Sequence, residues 1–372
     1  MRLAFVLHNY FPYGGLQRDA WRIAQACKKQ GHQVEFITMD WQGEQDPEMP
    51  VHIFLQKHWL NYRRYQEFED EIQPFIVKRH YDGVIGFNKM RGLDFYYAAD
   101  PCFAATQAQR KWAAFYRWLP RYRYFLNVEA AMCAPKAKTQ LLLISPQAAK
   151  DFREFYHIDE TRLHFLPPGI SRDRCWQADS VQRRIAMRER LQITPEQKLI
   201  LMLGSGFKTK GVDRGIRAFS ALPDELRTKS RLLIVGKSDP EVFMQLAEQL
   251  GVQEQVQFML GSDEVPDLLF SADLLLHTAY LENTGTVILE AIVAGLPVLA
   301  TENCGYAFYI EQAKAGDIVP MPFSQQSLNQ KLETMLTSEK YSAWHAHGIK
   351  FGQEEDVYSM PERVVELINR LL

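Results

Sequence analysis

Short apolar runs alternate with longer stretches in which apolar residues recur at helical spacing. The runs predict strands over Leu3–Leu7, Val34–Thr38, Val51–Leu55, Gly83–Phe87 and Gln140–Ile144. A second series follows over Leu199–Leu203, Leu232–Val235, Val256–Met259, Leu274–His277, Pro297–Ala300 and Asp317–Val319. Helical patterns fill the gaps, and this alternation predicts an α/β chain of parallel sheets with helices on both faces. The pattern breaks near the midpoint at Pro167-Pro168-Gly169-Ile170-Ser171-Arg172-Asp173-Arg174, a composition expected of an interdomain linker. Two Rossmann-like, doubly wound domains are therefore expected, over 1–168 and 169–355. The last segment, 356–372, holds an amphipathic helix from Pro361 to Leu372 with Ser359 placed to cap it. That helix is expected to pack back on the first domain.

The chain has 372 residues, enough for two cores of similar size. At 47% hydrophobic and 24% charged it has the composition of a globular protein. A net charge of -2 excludes general polyanion binding, so any basic surface is local. The five cysteines are scattered and form no CxxC pair, which argues against a disulfide framework or a zinc site and suits a reducing cytoplasm. Leu3–Leu7 is too short for a signal-peptide core. No apolar stretch approaches the ~18 residues of a spanning helix. The longest, Thr286 to Ala300, is broken by Glu290, Gly295 and Pro297 and predicts a buried helix followed by a strand.

Ligands of open parallel sheets bind beyond the strand C-termini, where loops and helix N-termini converge. Three loops at such positions carry chemistry. The first, His8 to Asp19, contains Gly14-Gly15 before a helix; backbone N–H groups there can approach an anion, although an isolated Gly-Gly can equally be a turn. It has no GxGxxG, which argues against a nicotinamide enzyme. The second, Gly204-Ser205-Gly206-Phe207-Lys208-Thr209-Lys210-Gly211-Val212-Asp213, has P-loop glycine spacing but Val212-Asp213 where Lys and Ser/Thr belong. Its lysines can grip a diphosphate, or form a solvated basic turn. The third runs Glu282-Asn283-Thr284-Gly285-Thr286 and on through Glu290. Glu290 sits among apolar helical neighbours, where a carboxylate is costly without a partner, and ribose hydroxyls can supply one. Glu282 is placed to hold sugar hydroxyls. The two carboxylates can also be read as a glycosidase acid/base pair, or as a capping and surface pair.

Together these residues resemble the family-4 retaining glycosyltransferases of GT-B fold, whose hallmark is the Glu-x7-Glu element spanned here by Glu282 and Glu290. The chain is more closely similar to the lipopolysaccharide core glucosyltransferase I proteins of Gram-negative bacteria. The matching stretches are Tyr10 to Asp19, Gly86 to Met90, Leu166 to Ile170, Lys210 to Arg214 and Cys304 to Ala307. The resemblance implies a UDP-glucose donor and an inner-core heptose acceptor on a lipid-anchored saccharide. It implies that Glu290 holds the ribose, Glu282 the transferred sugar and Lys210 the diphosphate. Gly15 would approach the sugar phosphate, and Asp19 and Arg174 would stand in the cleft and near the phosphates. Many relatives have Lys at Asn9, Arg at Thr209 and His at Phe308; Lys208 can stand in for the second diphosphate cation. Asn9, Arg91 and Phe308 lie in loops that can touch the acceptor.

Such enzymes need no bound metal or cofactor, and the sequence shows no Asp-x-Asp pair in a cleft loop. No residue stands out as a covalent nucleophile, which favours front-face attack with the leaving phosphate taking the acceptor proton. Rival readings are a heptosyl- or acetylglucosaminyltransferase, an epimerase of the same fold and a non-catalytic nucleotide-sugar binding protein. The stretch Gln109 to Phe125 carries Arg110, Lys111, Arg117, Arg121 and Arg123 with Trp112 and Trp118, and no acid. A solvated helix face or a nucleic-acid stacking surface has the same composition. A lipid-linked acceptor favours an anionic membrane surface, so the protein is expected to be cytoplasmic and peripheral on the inner membrane, with no nucleic-acid partner.

Overall fold

The computed structural model describes every residue except Tyr13, and of Ala114 the backbone alone. Tyr13, part of the first glycine loop, lies outside the described residues. The chain divides into two compact units, Met1–Gly169 with Ser359–Leu372, and Ile170–Tyr358. The expected breaks stood at 168/169 and 355/356.

The strands of the first unit are β1 (Arg2–Val6), β2 (Asn9–Tyr10), β3 (Gln33–Thr38), β4 (Asp40–Trp41), β5 (Val51–Ile53), β6 (Gly83–Gly86), β7 (Phe95–Ala98), β8 (Gln140–Leu143) and β9 (Leu163–Phe165). Seven form one parallel sheet in the order β5-β3-β1-β6-β7-β8-β9; β2 and β4 pair separately. Leu3, Ala4, Phe5 and Val6 are fully buried, because a central parallel strand is covered on both faces and reads as a continuous apolar run. Three features departed from the apolar-run pattern. β7 is Phe-Tyr-Tyr-Ala, without a β-branched residue, yet it lies between β6 and β8. β9 is a three-residue edge strand, and β2 with β4 is a two-residue pair; both are too short for a periodic signal.

The C-terminal helix Met360–Leu371 buries Met360, Val364, Val365 and Ile368 in a cluster with Ala20, Ile23, Ala24 and Cys27 of the Gly15–Lys29 helix. These positions recur every three or four residues, so one stripe of each helix faces the other.

The second unit contains β10 (Lys198–Leu203), β11 (Ser230–Val235), β12 (Val256–Met259), β13 (Leu274–His277), β14 (Val298–Thr301) and β15 (Gly316–Val319). They form a parallel sheet in the order β12-β11-β10-β13-β14-β15, a doubly wound arrangement with the first strand central. Buried Asp273, just before β13, accepts from Arg184 at 2.6 Å, Arg188 at 3.0 Å and the Leu199 amide at 2.7 Å. It therefore ties the Ser180–Arg190 helix to the start of two central strands.

Candidate active site

In the second unit the strand order reverses at β10, between β11 and β13. The loops leaving β10 and β13 flank that reversal, where a crevice forms at the strand C-termini. Gly211 ends the second loop with φ 68°, and a Cβ there would stand 2.0 Å from the Thr278 carbonyl oxygen. Glycine alone lets the loop press against the exit of β13. Thr278 Oγ1 donates to the Gly211 carbonyl at 2.7 Å, and the Tyr280 amide to the Thr209 carbonyl at 2.8 Å. With the loops locked in this way, Lys210 Nζ donates to Glu282 Oε2. Lys208 is exposed on the same loop, and its side chain makes no ion pair among the described residues.

The third loop is anchored from β14 as well: the Gly305 amide donates to the Glu282 carbonyl at 3.2 Å and the Tyr306 amide to the Thr284 carbonyl at 2.7 Å. Asn283 and Thr284 are half-buried along this turn. Gly285, with φ 82°, caps the Thr286–Val293 helix. That helix is apolar nearly all round, so it is buried, and it carries Glu290 inward at 6% exposure. Arg174, itself buried, brings Nε to 3.6 Å from Glu290 Oε1 and donates to Asp173 Oδ2 at 2.6 Å. The buried carboxylate thus has a guanidinium partner within the chain.

His277, the last residue of β13, had no role assigned from sequence. It is 2% exposed, with Nε2 at 3.4 Å from Glu282 Oε2. The contact falls short of an aligned hydrogen bond. Burial pushes the imidazole towards its neutral form, but the Cys304 thiol and the Glu282 carboxylate outweigh that and raise its pKa to about 9. Burial likewise disfavours the Glu282 carboxylate, and His277 with the Lys210 cation outweighs it, taking the pKa down to about 2. Glu282 is therefore ionised at neutral pH between two cations. The only signal in the sequence was a histidine ending a strand otherwise made of leucine.

In the first unit, Gly14 precedes the Gly15–Lys29 helix and its carbonyl accepts from the Arg18 amide at 2.9 Å. A Cβ at Gly14 would stand 1.9 Å from Gln17 Oε1, whereas a Cβ at Gly15 would meet no described atom within 4 Å. Gly15 thus leaves an open backbone face at a helix N-terminus, where a ligand can approach closely. Asp19, half-buried one turn on, accepts from Tyr97 Oη at 2.8 Å.

The sequence matches the family Glycosyl transferases group 1 over residues 183–350 and Glycosyltransferase Family 4 over residues 13–174. It is 41% identical over 369 residues to the lipopolysaccharide glucosyltransferase WaaG of Escherichia coli (strain K12), covering 99% of this chain and 98% of that protein. The chain belongs to the family-4 glycosyltransferases. A crystal structure of WaaG, a glycosyltransferase involved in lipopolysaccharide biosynthesis, matches with a TM-score of 0.94 at 40% identity, over 98% of this chain and 99% of that one. Sucrose-phosphate synthase of Thermosynechococcus elongatus, at 17% identity and a TM-score of 0.79 over 100% of this chain and 98% of that one, shares the fold alone. The fold of this family-4 glycosyltransferase is accordingly GT-B, with a Rossmann-like sheet in each unit.

Among the described residues of this glycosyltransferase, no cluster of His, Cys, Asp and Glu is arranged to hold a metal ion. Nor is any helix long and apolar enough to cross a membrane. Arg110, Lys111, Arg117, Arg121 and Arg123 are all exposed, and Trp112 and Trp118 are each 80% exposed. The tyrosines of the stretch turn inward: Arg110 lies over the Tyr116 and Tyr122 rings at 5.6 and 5.7 Å.

Proposed function

We propose that this protein transfers glucose from UDP-glucose, with retention, to an inner-core heptose of lipopolysaccharide. The observation that carries the proposal is the Lys210–Glu282 pair at the strand reversal of the second unit, in a chain 41% identical to WaaG. Glu290 accepts from the ribose hydroxyls while Arg174 holds it in place. Lys210, Lys208 and the N-terminus of the Val212–Ser220 helix bind the diphosphate and stabilise the charge that grows on it. Glu282, kept ionised by His277, accepts from the glucose hydroxyls, with Asn283 and Thr284 beside it. Gly15 gives its backbone to the sugar phosphate, and Asp19 orients the substrates. The acceptor hydroxyl oxygen bonds to the anomeric carbon on the face from which the phosphate oxygen departs. Its proton passes to that phosphate, giving glycoside and UDP.

The nucleotide sugar is a substrate, and no further cofactor enters this scheme. The exposed tryptophans and cations of residues 110–125 fit a peripheral site on an anionic membrane, at the cytoplasmic face where nucleotide sugars are available. The test is UDP release from UDP-glucose with lipopolysaccharide truncated before its first core hexose, and mass analysis of the product. Glu282→Ala should fold and bind UDP yet lose roughly 100-fold or more in turnover. Transfer of another sugar, or an equal loss of UDP binding, would reject the assignment.

A further inference from the structure

The Asn61–Arg79 and Pro120–Cys133 helices of the first unit border a groove of about 340 Å³, within the range of small-ligand sites. Arg63, Arg91 and Arg123 line it, with Gln66, Asn127 and the Tyr62 ring. These residues come from three separate places in the chain, and nothing in the donor chemistry above uses them.

Of the three arginines, Arg91 alone has a carboxylate partner among the described residues. Arg91 is fixed: its Nε donates to buried Glu69 at 2.5 Å, and its backbone amide reaches the same oxygen at 2.9 Å. Tyr124 Oη donates to the other Glu69 oxygen at 3.2 Å. Glu69 raises the Arg91 pKa chiefly through this hydrogen bond, and Asp70 adds charge at longer range. The two terminal nitrogens of Arg91 make no hydrogen bond among the described residues. The side chains of Arg63 and Arg123 make neither ion pair nor hydrogen bond there. Three guanidinium groups thus face one cavity with a single buried carboxylate behind them. Forked guanidinium groups suit the paired oxygens of phosphate and carboxylate.

The remaining lining discriminates between occupants. Gln66 and Asn127 each offer both donors and an acceptor, as sugar hydroxyls require, and the Arg63 guanidinium lies over the Tyr62 ring at 5.7 Å. A phosphate or carboxylate carried on a sugar uses the cations and the amides at once. We propose that this groove binds an anionic substituent, phosphate or carboxylate, on the saccharide acceptor. The proposal rests on the reading of the protein as a transferase with a saccharide acceptor, and it makes the groove the place where an acidic acceptor is told from a neutral one.

The test uses the full chain saturated with UDP, so that the donor site is filled, and titrates glucose 6-phosphate, glucuronate and glucose by calorimetry. Two variants are compared: Arg63→Gln/Arg123→Gln, which removes the unpaired charges, and Asn127→Trp, which fills the groove and keeps every cation. Their thermal midpoints check folding. The wild-type protein should bind both acidic sugars roughly tenfold or more tightly than glucose, and both variants should lose that preference while UDP affinity stays unchanged. Absence of the preference in the wild type, or its survival in both variants, overturns the proposal. A parallel arm measures sedimentation with phosphatidylglycerol vesicles; if the variants lose vesicle binding but keep the acidic-sugar preference, the groove serves a headgroup and the proposal fails. Turnover of UDP-glucose by the wild-type enzyme is read separately, so failure of the transferase assignment is distinct from failure of the groove.

Discussion

His277 Nε2 stands 3.4 Å from Glu282 Oε2 while Lys210 Nζ donates to that same oxygen, so one carboxylate is held between a buried cation and a half-exposed one. The imidazolium is the tighter constraint, because a ring at the end of a central strand cannot swing away as a lysine stem can.

The first prediction is a pH dependence that belongs to this ring. Its pKa in the folded protein is raised to about 9 from an ordinary 6.5. The stabilisation is therefore fully present below pH 6.5, declines above it and is gone once the pH passes about 9. Urea unfolding of wild type at pH 6, 8 and 10 should show that decline, and His277→Gln should lack it. Turnover of the variant should fall while UDP affinity holds. Parallel stability profiles for the two proteins would mean that His277 is neutral in the fold.

Glu290→Ala should have two consequences. It removes the proposed ribose contact, which should weaken UDP binding by about ten- to a hundredfold. It also removes the carboxylate beside the buried Arg174 Nε while the bond from Arg174 to Asp173 remains, which should cost about 1–3 kcal/mol of stability. Arg174→Met/Glu290→Ala should recover most of the stability and none of the UDP affinity. Additive losses in this cycle would show that the 3.6 Å contact carries no coupling.

Two glycines should behave oppositely on substitution. Gly211→Ala places a methyl group against the Thr278 carbonyl and needs φ 68°, so stability and activity should fall together. Gly15→Ala meets no described atom within 4 Å and sits in a helix, so the melting temperature should hold or rise slightly. Transfer should nonetheless drop by roughly tenfold or more if the backbone there approaches the sugar phosphate. Normal turnover in Gly15→Ala would remove that residue from the site.

Membrane attachment is predicted to depend on Trp112 and Trp118 as well as on charge. Replacing both with Ser should weaken sedimentation with anionic vesicles at every salt concentration. Arg117→Gln/Arg121→Gln should weaken it mainly at low salt, where screening extends over about 10 Å or more. UDP affinity should be unaffected in both. Equal sedimentation of wild type with neutral and anionic vesicles would leave the patch without an electrostatic role.

The positions of the central strands were legible because each is buried on both faces and appears as an unbroken apolar run, as in Leu3–Val6 and Leu199–Leu203; their order in the sheets was not. β7 was missed although Phe and Tyr favour strands: Phe95-Tyr96-Tyr97-Ala98 is only four residues long, and its ladders with β6 and β8 fix it in the sheet. The candidate loops were legible where glycine, lysine and carboxylate fall at short spacing after a strand, as with Lys208, Lys210, Glu282 and Glu290. Residue type and spacing were enough for that, together with the resemblance they carry. What tertiary structure alone decided is which charges meet. His277 lies close to Glu282 in sequence, but its burial and its raised pKa follow from packing against Cys304 and the third loop. Arg174 reaches Glu290, and Arg63, Arg91 and Arg123 share one groove, because chain folding brings together residues far apart in sequence. Hydrophobic periodicity is a local property and survives in the sequence. The electrostatics of a buried charge depend on its neighbours in space, and no local pattern records them.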